Sequence, residues 1–157
     1  MLSTDIIVKQ FAEGVIAGIK ENIRTKQNPP YGPANTTGHA ADSLYYTWDG
    51  HKLIIASTWE FITVLEEGRK PGKMPPRDEI AKWIDKKPVE GGISRDSLAF
   101  LIQRSIGKHG SALFRDGGHS GILSEYLNEE YVQENLSDVF RDNIVATITN
   151  ALLQKAA

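Results

Sequence analysis

The chain holds 18 Lys and Arg against 20 Asp and Glu, and one tight cluster of its cations stands out. Arg69, Lys70, Lys73 and Arg77 fall in one short stretch, interleaved with Pro71, Pro75 and Pro76. Each proline fixes φ at about −65°, so the stretch is expected to be a stiff basic loop. A pre-shaped cationic loop loses little conformational entropy when a partner orders it, and that suits docking on a polyanion. Gly68 to Lys73 is not a phosphate cradle of the P-loop kind. It lacks the required spacing after a strand and has no Ser or Thr behind the lysine.

Catalytic constellations are not spelled out. His39, His51, His109 and His119 show no i, i+3 or i, i+4 pairing, so no helical metal site is written in the sequence. Gly118-His119-Ser120-Gly121 approaches a nucleophile elbow, but Ile122 stands where that motif needs its last glycine. Glu66-Glu67 and Glu129-Glu130 are adjacent acids, which diverge on a helix and do not form an acid/base pair. The expectation is a protein that is not an enzyme and uses no metal or cofactor. A hydrolase built on His109 or His119 is the least supported reading.

The elements that must position the loop can be read in outline. Its 157 residues suit a single domain over 1–157, with long loops at 28–38 and 107–121. There is no cysteine, which fits a reducing compartment. Asp5, Lys9 and Glu13 argue against a signal peptide, and the longest apolar run, Leu98 to Ile102, is far short of a membrane span. Net charge is only −2, but it is split. Seven bases face three acids from Arg69 to Lys87, and six acids face Arg141 from Glu125 to Asp142. A chain basic in one part and acidic in another can attract its own copies head to tail, and such contacts close into rings.

Ser3 or Thr4 caps a first helix, whose stripe of Ile6, Ile7, Phe11, Val15, Ile19 and Ile23 runs to about Lys26. Gly14 and Gly18 within it would admit another helix closely. Asp49-Gly50 reads as a two-residue hairpin turn pairing Trp48 with His51, Tyr46 with Leu53 and Leu44 with Ile55. Trp59 to Glu67 fits a short helix, with a strand as the competitor. A helix after Pro76 carries Ile80, Trp83 and Ile84 on one stripe, and Trp83 is expected against the hairpin face of Tyr46 and Leu53. Ser94 caps a further helix, with Leu98, Leu101, Ile102 and Ile106 on one face, Phe100 off that face and Gly107 as the stop. Residues 107–121 hold five glycines, so Leu113 and Phe114 either tuck back onto the domain or insert into another subunit, and contact with another chain is the expectation. The remainder reads as helix, weakly broken near Leu136-Ser137. It continues through Ile148 and Leu152, although the β-branched block 144–149 admits a strand. The fold class is α+β: a small antiparallel sheet with a β-hairpin, packed by N-terminal, middle and C-terminal helices.

Three pieces of this chain together carry a resemblance. Thr37-Gly38, then Asp42-Ser43-Leu44, leads into the hairpin. An aromatic and apolar segment closes in Leu65-Glu66-Glu67-Gly68. Pro71-Gly72-Lys73 and Pro75-Pro76 precede the helix of Ile80 and Trp83-Ile84. Over residues 36–106 the chain resembles the tail-completion, or head–tail connector (neck), proteins of tailed bacteriophages, in the minor-tail-component superfamily. Their pattern is an N-terminal helix, TG-x-L-x-x-S, a hairpin and an apolar segment ending Glu-x-Gly. His39-Ala40-Ala41 departs from the usual basic-Leu-basic residues, and the Trp83 helix and glycine loop are additions to the smallest members.

The resemblance implies a structural virion protein, made in the host cytoplasm, without catalysis or cofactor. It would form a homo-oligomeric ring between portal, adaptor and tail proteins, around a channel that DNA crosses without sequence-specific binding and with no membrane contact. The interface candidates are Arg69, Lys70, Lys73, Arg77, Leu113, Phe114, Glu130 and Glu134. The alternative is a small nucleic-acid-binding module that grips phosphates with the 69–77 loop, though overall basic charge and interleaved aromatics are missing.

Overall fold

The structure is a computed structural model that describes residues 3–28, 32–33, 38–86, 91–142 and 144–145. The expectations for Thr37, Lys87, Ile148 and Leu152, most of the 28–38 loop and most of the strand alternative at 144–149 lie outside the described residues.

Helix α1 (Thr4–Thr25) is the spine. Ser3 caps it, its Oγ accepting from Ile6 N, and Asp5 sits in the first turn where the helix dipole favours an acid. Ile7, Val8, Ala12, Val15, Ile19 and Ile23 are buried along one face. A two-residue antiparallel pairing of β1 (Gln27–Asn28) with β2 (Gly32–Pro33) follows, then the single turn α2 (His39–Asp42), whose Ala40 and Ala41 join the core.

The hairpin pairs β3 (Leu44–Trp48) with β4 (Leu53–Ser57) and lies across α1. Its register differs from the expected one. Trp48 faces Leu53 and Tyr46 faces Ile55, so the loop is four residues long, not two. Asp49 explains the difference: its Oδ1 accepts from His51 N at 2.8 Å and Lys52 N at 2.7 Å, which stabilises a longer turn. The slip is an even number of residues, so Leu44, Tyr46, Trp48, Leu53 and Ile55 still share the inner face, as expected. Trp48 Nε1 donates to Asp5 and the Tyr46 hydroxyl to Glu13, pinning that face to α1.

Trp59 to Thr63 is a run of turns ending in α3 (Val64–Glu67). Beyond the proline loop come α4 (Arg77–Asp85) and α5 (Arg95–His109), which pack on each other and bury Ile84 and Ala99. Trp83, on α4, is half-buried. The hairpin was the expected partner of this helix; α4 packs on α5 instead, and α1 covers the hairpin's inner face. α5 also runs past Gly107 to His109, with Gly110 at φ 78° as its C-cap.

The 107–121 stretch is not an open excursion. It holds the helical turn α6 (Ala112–Arg115), capped by Ser111. Ile122 is fully buried against α1, and Tyr126 lies on Gly18, where a Cβ would come within 2.3 Å of the ring. Gly18 therefore admits a tyrosine and not the expected second helix, and Gly14 has open space. α7 (Glu129–Val132) continues into a π-helical turn, Gln133–Ser137, and is helical again at 138–142. The break read at Leu136-Ser137 is this π turn, which lies against α1.

Candidate assembly surface

Glu66 is the keystone of the surface. It is 8% exposed and lies at the end of α3. Its carboxylate accepts from Gly121 N at 3.1 Å, Leu123 N at 2.8 Å, Ser124 N at 3.4 Å, Ser124 Oγ at 2.6 Å and Ser120 Oγ at 3.3 Å. Burial alone would push its pKa up. The bonds from Ser124, Leu123 and Gly121 outweigh that and hold it below the ordinary glutamate value. His119 Nδ1 lies 3.9 Å away on a side chain that is 85% exposed. The Ser120 and Ser124 hydroxyls donate directly to the Glu66 carboxylate.

Two residues on, Gly68 has φ 76° and ψ 175°, a conformation reserved for glycine. A Cβ there would fall 2.4 Å from Phe114 N. The Glu-x-Gly sequence thus does two jobs at once: Glu66 gathers residues 120–124, and Gly68 lets α6 close on the start of the basic loop.

The loop is then fastened from the other side. Arg69 N donates to Ser111 Oγ at 2.9 Å, and Ser111 N donates back to Arg69 O at 2.8 Å. Gly72 N donates to Gly107 O at 2.8 Å, and Gln103 donates to Pro75 O at 2.7 Å. Met74 rests on Gly107, where a Cβ would come within 2.8 Å of its Cγ. Gly107 therefore serves close approach inside α5 and does not stop the helix. An open groove of about 420 Å³ follows the loop, with Phe61, Val64 and Pro71 on its apolar side and Lys70 and Lys73 on its rim.

The candidates divide as follows. The Arg69 guanidinium lies 5.5 Å over the Phe61 ring, and Arg77 donates to Asp96 O at 3.0 Å, so both are engaged within the chain. Lys70 and Lys73 are exposed and have no ion pair among the described residues. Leu113 and Phe114 are half-buried, and Phe114 packs beside Gly68 and Gly110. The premise that their loop lacks a framework of its own is corrected by the clamp of Ser111 and Glu66. In the acidic run, Glu125 pairs with Lys26, and its pKa is lowered by the Lys26 hydrogen bond first and the Asn22 bond second. Asp138 and Asp142 flank Arg141, and Glu129 accepts from Gln133. Glu130 and Glu134 are exposed with no partner among the described residues.

Counting charge over 69–87 misses two cations. Arg104 and Lys108 on α5 are exposed beside the loop, without an ion pair among the described residues. Their i, i+4 spacing after Phe100-Leu101 was the available signal. Among the described residues no group of three or more His, Asp or Glu side chains could hold a metal ion, and no helix is long and apolar enough to cross a membrane. Comparison with protein-family models, characterised proteins and solved structures finds no match to this chain.

Proposed function

We propose that this chain is a structural subunit of an oligomeric ring, of the kind that joins portal to tail at the neck of a tailed bacteriophage, around a channel for DNA. One observation carries the reading. Gly68, the glycine of the Glu-x-Gly resemblance, lets Ser111 and Phe114 close on the start of a basic loop whose Lys70 and Lys73 are exposed, while Glu66 of the same motif orders residues 120–124. A rigid prong of unpaired charge is what register between identical copies requires. Glu130 and Glu134 supply unpaired charge of the opposite sign on the same chain.

The test is mass and location. Native mass spectrometry of the purified protein should give one closed oligomer, and purified virions should contain the chain in that copy number. A monomer at every concentration, with the chain missing from particles, overturns the reading. A monomer that instead binds duplex DNA with a steep salt dependence makes the 69–77 loop a phosphate grip, as in the nucleic-acid alternative.

A further inference from the structure

One face of α5 is unexplained by the fold. Leu101 was expected on the α5 face of Leu98, Ile102 and Ile106 but is exposed, so it joins Phe100, Arg104 and Lys108 (i, i+1, i+4 and i+8) on one outer stripe. Phe100 is 44% and Leu101 51% exposed, large values for such side chains. Met74 on Gly107 brings the basic loop up to the edge of the same stripe, and Met74 is itself 49% exposed. Phe100, Leu101 and Met74 therefore lie open beside Lys73, Arg104 and Lys108. None of these three cations has an ion pair among the described residues. The surface comes from two segments, with Lys73 and Lys108 lying 35 residues apart in sequence, and is not visible as a charge run.

A phosphate backbone would use the cations and leave the apolar side chains in water. A partner that fits both must be acidic and carry exposed apolar groups of its own. The helical run beginning at Glu129 answers both needs. Glu130 and Glu134 are exposed and unpaired among the described residues, and Val139 is 43% exposed. The π turn Gln133–Ser137 of this run packs on α1, while Glu130, Glu134 and Val139 stay exposed to meet a partner.

We infer that the α5 stripe with Lys73 and Met74 is the docking surface for the acidic 129–142 segment of a second copy. The contact is heterologous, so each copy offers both halves, and closure of the rotation gives a ring. This rests on the ring reading and names its interface.

The experiment is sedimentation velocity of the full chain and of charge-reversed variants, with circular dichroism to confirm helix content. Arg104→Glu with Lys108→Glu should raise the self-association Kd at least tenfold, about the worth of two or three exposed ion pairs. Adding Glu130→Lys and Glu134→Lys should recover most of the loss. Phe100→Ser, which changes no charge, should weaken association to a similar degree. Self-association of the unaltered chain that none of these changes affects overturns this interface and leaves the ring reading standing. A chain monomeric at all concentrations overturns both. Unchanged self-association with lost affinity for a duplex oligonucleotide assigns the stripe to nucleic acid and overturns the inference.

Discussion

Glu66 concentrates in one side chain what the 107–121 stretch needs to be ordered. Five donors converge on a carboxylate that is almost out of water, and the charged form is the one that can accept from all of them. Its folded pKa lies below the unfolded value of about 4.3. The sign follows: its contribution to stability is whole above that value and is lost as pH falls through the folded pKa. Glu66→Gln turns one acceptor into a donor facing N–H groups, and should cost about 2–3 kcal/mol at neutral pH. It should also flatten the acid limb of a urea-denaturation series measured from about pH 6 to pH 3. An unchanged acid limb would show that another group sets it. Gly68→Ala meets both the forbidden φ and the Phe114 backbone, and should cost about 3 kcal/mol or more by the same measurement. Neither role was legible beforehand. The donors to Glu66 lie more than fifty residues away in the chain, and Glu66-Glu67 read locally is only a pair of diverging acids.

At the scale of elements, what the sequence encodes locally was readable and what depends on distant packing was not. Ser3 and Ser94 cap α1 and α5 as their positions suggest, because a cap is a contact across three residues. The faces of the hairpin were readable from alternation, while its register turned on whether Asp49 would cap a two-residue or a four-residue loop. The α4 stripe was readable, but not its partner: the helix pair buries Ile84 and Ala99 on each other, apart from the α1 core. That separation has a measurable consequence. Ile84→Ala should cost about 2–4 kcal/mol of local stability. Amide exchange should then quicken across residues 77–86 and 95–109, while α1 and the hairpin keep their protection. Faster exchange spread evenly through α1 would mean that the two packing units unfold as one.

For the whole molecule, the net charge of −2 conceals the feature that matters, which is where charge is left unpaired. Ion pairs within the chain consume Lys26, Glu125, Arg95, Asp85 and Arg141, and backbone or ring contacts take up Arg69 and Arg77. Among the charges without an ion pair in the described residues are Lys70, Lys73, Arg104 and Lys108 on and beside the basic loop, and Glu130 and Glu134 after Glu129. Association that pairs these two sets should respond to salt in a graded way. Screening shortens the Debye length from about 10 Å at 0.1 M to about 3 Å at 1 M, so the charge contribution should fade over that range. Phe100, Leu101, Met74 and Val139 still leave water when copies meet, and that contribution does not fade with salt. The self-association Kd should therefore rise several-fold between about 0.05 M and 0.5 M salt and then level off. A Kd that keeps climbing with a constant logarithmic slope would be the signature of counterion release from a nucleic acid carried along with the protein. A Kd indifferent to salt from the start would remove charge from the interface and leave the apolar stripe alone to hold the copies together.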